Sequence, residues 1–408
     1  MTFSEFAEPG SNIRRSAFQE LSVKSAPAGS SSHMRSQLRV RRIVLTWLCT
    51  SAGGAERSVV DLAIELQRFG VDTQVIWWSY GPNAHPPGNS SAFNAAAVEK
   101  AADYRRALEN ALDHAGDTVV ISNHRTALID HEIARALDIP VAVVLRGLFV
   151  SDQRMRFIAR AYDSELSAQL PAELNWKEFG AVDTWVGISR ASSDSVREYL
   201  EPGGRAETIY NGVQVVGPDA AALVPRVPRR FLALGRLEPW KEVDLVLRAF
   251  GAACAEHSDI TLDVVGGGPL LAEYTDLVRE MGLDQRISFH GFQTEPEQWI
   301  YQSDVLVHGA PVEGFGRVVA EAAVRGRPAI VPAAGATGEI VINGITGMTY
   351  RPADDAALAT RISEAASWPS QEWSRLGLNA QTFSRAAFSM ERAGAEYLIL
   401  CSSLLSRP

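Results

Sequence analysis

The 408-residue chain is poor in cysteine, almost without lysine, and holds no apolar run long enough to span a bilayer. Its three cysteines, Cys49, Cys254 and Cys401, are scattered and form no Cys-x-x-Cys pair. That excludes a disulfide framework and a cysteine-built zinc site, and it fits a reducing cytoplasm. Runs such as Val141 to Leu145 fall far short of the ~20 residues of a membrane-spanning helix, so membrane association is expected to be peripheral at most. Positive charge is also short. The formal net charge is -9, which leaves no basic field to displace counterions from nucleic acid, and nucleic acid is not expected as a partner. No Asp-x-Asp and no histidine-rich cluster occur, so no metal is expected at the site. Lys24, Lys100, Lys177 and Lys241 are the only lysines among 39 basic residues, and a lysine inside a motif is informative for that reason.

What remains is ordinary globular material, 46% hydrophobic and 21% charged, long enough for two domains of roughly 150–200 residues. Residues 1–35 carry Ala26-Pro27-Ala28-Gly29 and Ser30-Ser31-Ser32 with both charge signs, and they read as a disordered leader, with Met34 as an alternative start. From Arg42 the pattern is strand, glycine turn, helix, strand: Ile43-Val44-Leu45, then Gly53-Gly54, then Val59, Leu62, Ala63 and Leu66 at helical spacing, then Val71 to Trp78. This is a βαβ unit with a parallel strand pair. Further strands are expected at Thr118 to Ser122, Val141 to Leu145 and Thr184 to Ile188, with helices at Ala127 to Leu137 and Ser192 to Leu200. The breaker-rich Glu201-Pro202-Gly203-Gly204 sets a domain boundary. A second alternation follows, with strands at Phe231 to Leu234, Leu262 to Val265, Ile287 to His290, Val305 to His308 and Ala329 to Val331. The expected architecture is α/β: two Rossmann-like parallel-sheet domains, 36–204 and 205–408, facing a central cleft, with the last helices packing back on the first domain. Ligands in such folds sit beyond the carboxyl ends of the strands.

Two constellations lie at such ends. Gly235-Arg236-Leu237-Glu238-Pro239-Trp240-Lys241 puts two cations five residues apart between a strand and a helix, which suits a diphosphate. In Glu313-Gly314-Phe315-Gly316-Arg317-Val318-Val319-Ala320-Glu321, two carboxylates flank a glycine turn that opens a helix. Free N–H groups at Phe315, Gly316 and Arg317 beside carboxylates suit a polyhydroxylated ligand; a helix with a capping Glu313 and an ion-paired Glu321 is the plainer reading.

The order of Gly53 to Glu56, Asn211-Gly212-Val213, Gly235 to Leu237 with Lys241, Val265 to Leu270, and Glu313 to Glu321 with seven residues between the carboxylates resembles the family 4 glycosyltransferases, from about Arg42 into the last helices. The resemblance implies the GT-B architecture and retaining transfer of a sugar from a nucleotide-diphosphate sugar, with a UDP-sugar favoured. It implies that Arg236 and Lys241 hold the diphosphate and that Gly53 and Gly54 approach the donor phosphates. Glu321 would accept from the ribose, and Glu313, with the Phe315 and Gly316 amides, would hold the transferred sugar. Phe292 would line the nucleobase pocket. His124 matches a histidine near the donor sugar, and a structural role weighs equally there. Arg146 is an acceptor-side candidate, with a salt-bridged loop arginine as the alternative. The implied mechanism is same-face attack in which the leaving phosphate takes the acceptor's proton, with no metal and no cofactor beyond the co-substrate.

Two positions depart from the family pattern: Glu242 where glycine is usual, and Ala334-Gly335-Ala336-Thr337-Gly338 before Glu339. A dehydrogenase is disfavoured because Leu271 stands where the dinucleotide fingerprint needs its third glycine. A phosphorylase would need a cofactor lysine, and Lys241 is already assigned. A sugar-nucleotide epimerase and a non-catalytic sugar-nucleotide-binding protein remain alternatives. The acceptor is expected to be a hydroxyl compound, a small molecule of secondary metabolism or else a lipid or polysaccharide.

Overall fold

Short apolar runs buried on both faces become parallel strands here, because helical crossovers cover each side of the sheet. The computed structural model describes residues 39–49, 54–79, 94–98, 101–113, 116–123, 126–147, 184–197, 200, 204–215 and 227–406. The expected leader at 1–35 and the alternative start at Met34 lie outside them. Leu38–Pro408 forms one unit.

The first sheet contains β1 (Arg42–Cys49), β2 (Asp72–Ser79), β3 (Asn94–Val98), β4 (Thr118–Asn123), β5 (Val141–Leu145), β6 (Thr184–Gly187) and β7 (Ala206–Thr208). They lie in the order β3-β2-β1-β4-β5-β6-β7, every pair parallel. The second sheet contains β8 (Arg230–Leu234), β9 (Thr261–Val265), β10 (Ile287–Phe289), β11 (Val305–Val307), β12 (Ala329–Pro332) and β13 (Gly347–Tyr350), in the order β10-β9-β8-β11-β12-β13, again parallel throughout. Both sheets therefore reverse their winding in the middle, at β1/β4 and at β8/β11. Because β7 pairs with β6, the first sheet extends past residue 204, and the boundary expected there is placed too early. Three residues at a sheet edge leave no apolar run to read.

The helices of the first lobe are α1 (Gly54–Arg68), α2 (Ala101–Leu112), α3 (Ala127–Ala136) and α4 (Arg190–Arg197). Those that follow are α5 (Val243–Cys254), α6 (Leu271–Glu280), α7 (Glu297–Gln302), α8 (Arg317–Ala323), α9 (Thr337–Ile340), α10 (Asp355–Ala366), α11 (Ser370–Phe388) and α12 (Met390–Leu404). α1 buries Val59, Val60, Leu62, Ala63 and Leu66 at helical spacing. It ends at Gly70, whose φ of 78° lets its N–H reach the Gln67 carbonyl while Val71 N–H reaches that of Leu66. Each lobe has its own core: Val44, Val120, Val143, Trp185 and Leu108 in the first, Phe231, Phe250, Val264, Ile330 and Leu358 in the second. Each large side chain so buried contributes about 1.5–3 kcal/mol relative to exposure.

The last helix returns to the first lobe. α12 packs against α1, and Gly394 permits the approach, since a Cβ there would sit 3.0 Å from Glu65 Cγ and from the Phe69 ring. The motif Asn211-Gly212-Val213 lies at this crossing. A Cβ on Gly212 would be 2.6 Å from Met390 Cα, and Val213 bridges Ser389. The crossing is what its glycine serves.

Candidate functional site

β8 and β11 are neighbours whose onward connections leave in opposite directions, so their carboxyl ends open a crevice. The loops after β8, β9 and β11 fill its rim. The first two interlock through their backbones: Gly235 N–H donates to Val265 O (3.0 Å) and Leu237 N–H to Gly267 O (2.9 Å). A Cβ on Gly268 would stand 2.3 Å from the Leu237 carbonyl oxygen, so only glycine fits there. The loop then closes in a 3-10 turn, Pro239–Lys241, and Glu242 follows at φ 47°, ψ 44°. That left-handed conformation suits glycine, so at this departure from the family pattern a non-glycine residue is held in a strained conformation. One carboxylate oxygen of Glu242 is buried without a hydrogen-bond partner, and burial together with Asp244 raises its pKa.

Lys241 Nζ donates to Glu313 Oε1, joining the two constellations across 72 residues. His308 Nε2, at the end of β11, stands 3.3 Å from the same oxygen. The Lys241 and Glu313 side chains are 21% and 15% exposed. Burial alone would raise the Glu313 pKa, but the Lys241 charge and the His308 contact outweigh it and hold the carboxyl well below its ordinary range. Arg236, more exposed, lines the same small cavity with Gly235, Lys241, His308 and Gly309. Its guanidinium lies 3.9 Å from Glu238 and over the Trp240 ring. At the rim Phe292 is 70% exposed, next to Gly267 and after Gly291. The arrangement offers two cations to an anion, a carboxylate and an imidazole beside them, and an open aromatic face.

The glycine turn divides its labour. The Phe315 ring is 3% exposed and packs edge-on against Phe388 at 5.5 Å, so the side chain is core. The Phe315 and Gly316 N–H groups donate to nothing among the described residues, and Gly316 (φ 87°) turns the chain into α8. Glu321 is buried and accepts from Arg317 Nε at 2.7 Å. Arg317 also reaches the other lobe, donating to Asp61 Oδ2 (2.5 Å) and Ser58 Oγ (2.9 Å) on α1. Although burial opposes its charge, these carboxylates raise its pKa. Gly54 begins α1 beside it, 3.4 Å from Arg317 Cδ by its would-be Cβ. Gly53 and His124 lie outside the described residues.

Three further lobe contacts surround this bridge. Arg57 pairs with Glu297. Ser189 Oγ donates to Gly314 O at 2.6 Å. Glu339 accepts from the Arg190 and Ala191 N–H groups (2.9 and 2.8 Å), capping α4, and from the Tyr210 hydroxyl (2.7 Å). Arg146, following β5, donates to Asn211 Oδ1 at 2.8 Å and lies over the Trp47 ring at 5.7 Å. No carboxylate pairs with it among the described residues.

Sequence reading did not find His308, the bridge through Arg317 or the cap by Glu339. His308 and Arg317 stand in or beside the quoted motifs, but nothing in spacing names a partner 256 residues away. Nor did it find Asp130, a fully buried carboxylate in the first turn of α3 that accepts from Thr46, Tyr104, Ser122 and Thr126. Burial raises its pKa against those hydroxyl bonds. Among the described residues, no helix is long and apolar enough to cross a membrane.

Comparison with known proteins bears on this site. Residues 52–216 match the family model "Glycosyltransferase Family 4", and residues 220–382 match "Glycosyl transferases group 1". Glycogen synthase of Mycobacterium tuberculosis is 31% identical over 201 residues, 48% of this chain and 48% of that protein. N-acetylgalactosamine-N,N'-diacetylbacillosaminyl-diphospho-undecaprenol 4-alpha-N-acetylgalactosaminyltransferase of Campylobacter jejuni is 25% identical over 130 residues, 31% of this chain and 35% of that protein. The chain thus spans about half the length of the first of these relatives, or less. Among solved structures, Anabaena HepE in complex with UDP and glucose has a TM-score of 0.68 at 19% identity, covering 89% of this chain and 100% of its own. Sucrose-phosphate synthase of Thermosynechococcus elongatus has 0.68 at 20%, covering 90% and 99%. Both family models fall on the two lobes in sequence order and the fold is GT-B: the chain belongs to the family 4 glycosyltransferases.

Proposed function

We propose that the chain transfers a sugar, with retention of configuration, from a UDP-sugar to a hydroxyl of an acceptor held on the first lobe. The observation that carries this is the contact of Lys241, Glu313 and His308 at the β8/β11 crevice, with Arg236 on the same cavity. In this reading an incoming diphosphate takes Lys241 from Glu313. The ammonium then meets a phosphate oxygen, and the freed carboxylate, kept ionised, accepts from sugar hydroxyls. As the anomeric C–O bond breaks, its electrons go to the phosphate oxygen, where Lys241 and Arg236 stabilise the growing charge. The acceptor oxygen attacks from the same face and its proton passes to the departing phosphate. Phosphate neutralisation therefore falls to side chains, without a metal.

Phe292 stacks the base, and Glu321 accepts from the ribose if Arg317 yields one of its bonds. His124 and Gly53 keep the donor-side roles that the family resemblance gives them. HepE, bound to UDP and glucose in the same fold, favours uridine. The names of the relatives span a polymer acceptor and a lipid-linked one, and either stands beside a small hydroxylated acceptor. A cytoplasmic place of action follows from the nucleotide sugar.

The test is UDP release and product analysis with UDP-glucose and UDP-N-acetylglucosamine. Glu313→Gln should keep UDP binding and lose about 10²–10³-fold in turnover, and nuclear magnetic resonance of the product should show retention. Full turnover in that variant, or no thermal shift with UDP on the wild type, overturns the reading.

A further inference from the structure

A guanidinium partly withdrawn from water needs a counter-charge or a full set of acceptors, and among the described residues Arg146 has neither. Its one hydrogen-bond partner among the described residues is the neutral Asn211 Oδ1, and its Nε is shielded from solvent without a partner. Trp47 covers one face. Glu56 attracts it without contact, and Arg317, a like charge already matched by Asp61 and Glu321, repels it. Burial accordingly pushes the Arg146 pKa down. Tyr397 on α12, within electrostatic reach, has a buried hydroxyl that also lacks a partner. Two donors without hydrogen-bond partners, Arg146 Nε after β5 and the Tyr397 hydroxyl on α12, thus lie within electrostatic reach of one another. The spot adjoins the chemistry, because Gly147 touches the turn that carries Glu313: a Cβ on Gly314 would lie 2.7 Å from Gly147 Cα.

We propose that Arg146 anchors an anionic group of the acceptor, a carboxylate or a phosphate ester, beside the sugar held by Glu313. This rests on the transfer reading above. The anion supplies the charge that the fold withholds and fills the open Nε position, and a guanidinium suits either planar or tetrahedral oxyanions. An uncompensated cation kept at a cost in stability is expected of a ligand site and not of a structural ion pair.

The test uses the full chain loaded with UDP. Glucuronate, glucose 6-phosphate and glucose are titrated by calorimetry against wild type, Arg146→Gln and Arg146→Lys. At least one anion should bind on the order of tenfold more tightly than glucose. Arg146→Gln should abolish that preference while leaving UDP affinity unchanged, and Arg146→Lys should keep part of it. Without ligand, Arg146→Gln should melt no lower than wild type. Equal binding of glucose and both anions, or a preference that survives Arg146→Gln, overturns the inference alone. So does a charge preference seen only between UDP-glucuronate and UDP-glucose, which would assign Arg146 to the donor sugar. If UDP itself fails to bind, the transfer reading falls and this inference with it.

Discussion

Replacing Lys241 by methionine keeps most of the side chain's volume and removes only its charge, which strands Glu313. Breaking a buried pair by removing one partner costs roughly 3–5 kcal/mol. Here the side chains keep 21% and 15% of their exposure, so water recovers part of that and a loss of about 2–3 kcal/mol is expected. For a domain of this size that is roughly 5–10 °C in Tm. The pH dependence fixes the cause. In the wild type the Glu313 carboxyl titrates below its unfolded value of about 4.3, so its contribution is full above that pH and fades as pH falls below it. In Lys241→Met burial is opposed only by His308 and raises the pKa, so the variant should lose stability as pH climbs from about 4.3 towards neutrality. Calorimetry at pH 5 and pH 8 separates the two. Lys241→Met/Glu313→Gln removes both charges and should recover at least half of the lost Tm while transferring no sugar. A double variant no more stable than the single one, or a deficit equal at both pH values, refutes the pairing argument.

Glu242→Gly should raise stability by about 1 kcal/mol, because it relieves a left-handed residue and removes a buried unpaired oxygen; a lower Tm would show that the Glu242 side chain holds the turn. Arg317→Met leaves Asp61 and Glu321 without their cation, and hydrogen exchange should quicken in both α1 and α8, whereas faster exchange in α8 alone would contradict the bridge. Phe292→Ala should weaken UDP binding by about 1–3 kcal/mol with little change in Tm, measured by calorimetry; unchanged affinity would remove the ring from the base site.

Sequence periodicity reached the fold wherever strands are interior. Val141–Leu145 is buried at every position, so its apolar run was plain to read. β3, with the sequence Asn-Ala-Ala-Ala-Val, and β7, with Ala-Glu-Thr, lie at sheet edges, and β13 is short and begins with glycine. Their strand character comes from a neighbour already in place, which no local propensity records. At the site, residue types and spacing singled out Lys241 and Glu313, but their mutual contact belongs to the packing of two loops. Phe315 was read for its amide, and its ring proved to be core because Phe388 arrives from 73 positions further on. Arg317 looked like one more residue of a helix start, and only the approach of α1 makes it a bridge.

α12 closes on α1 although some three hundred residues separate them. During synthesis the first lobe leaves the ribosome long before the helix that covers it, so it stays unfinished until α12 is released. Until then the α1 surface around Phe69 stands open to solvent and to chaperones. Folding of the lobe made earliest therefore depends on a helix made some three hundred residues later, and a stop codon placed before Met390 would leave that lobe without its cover.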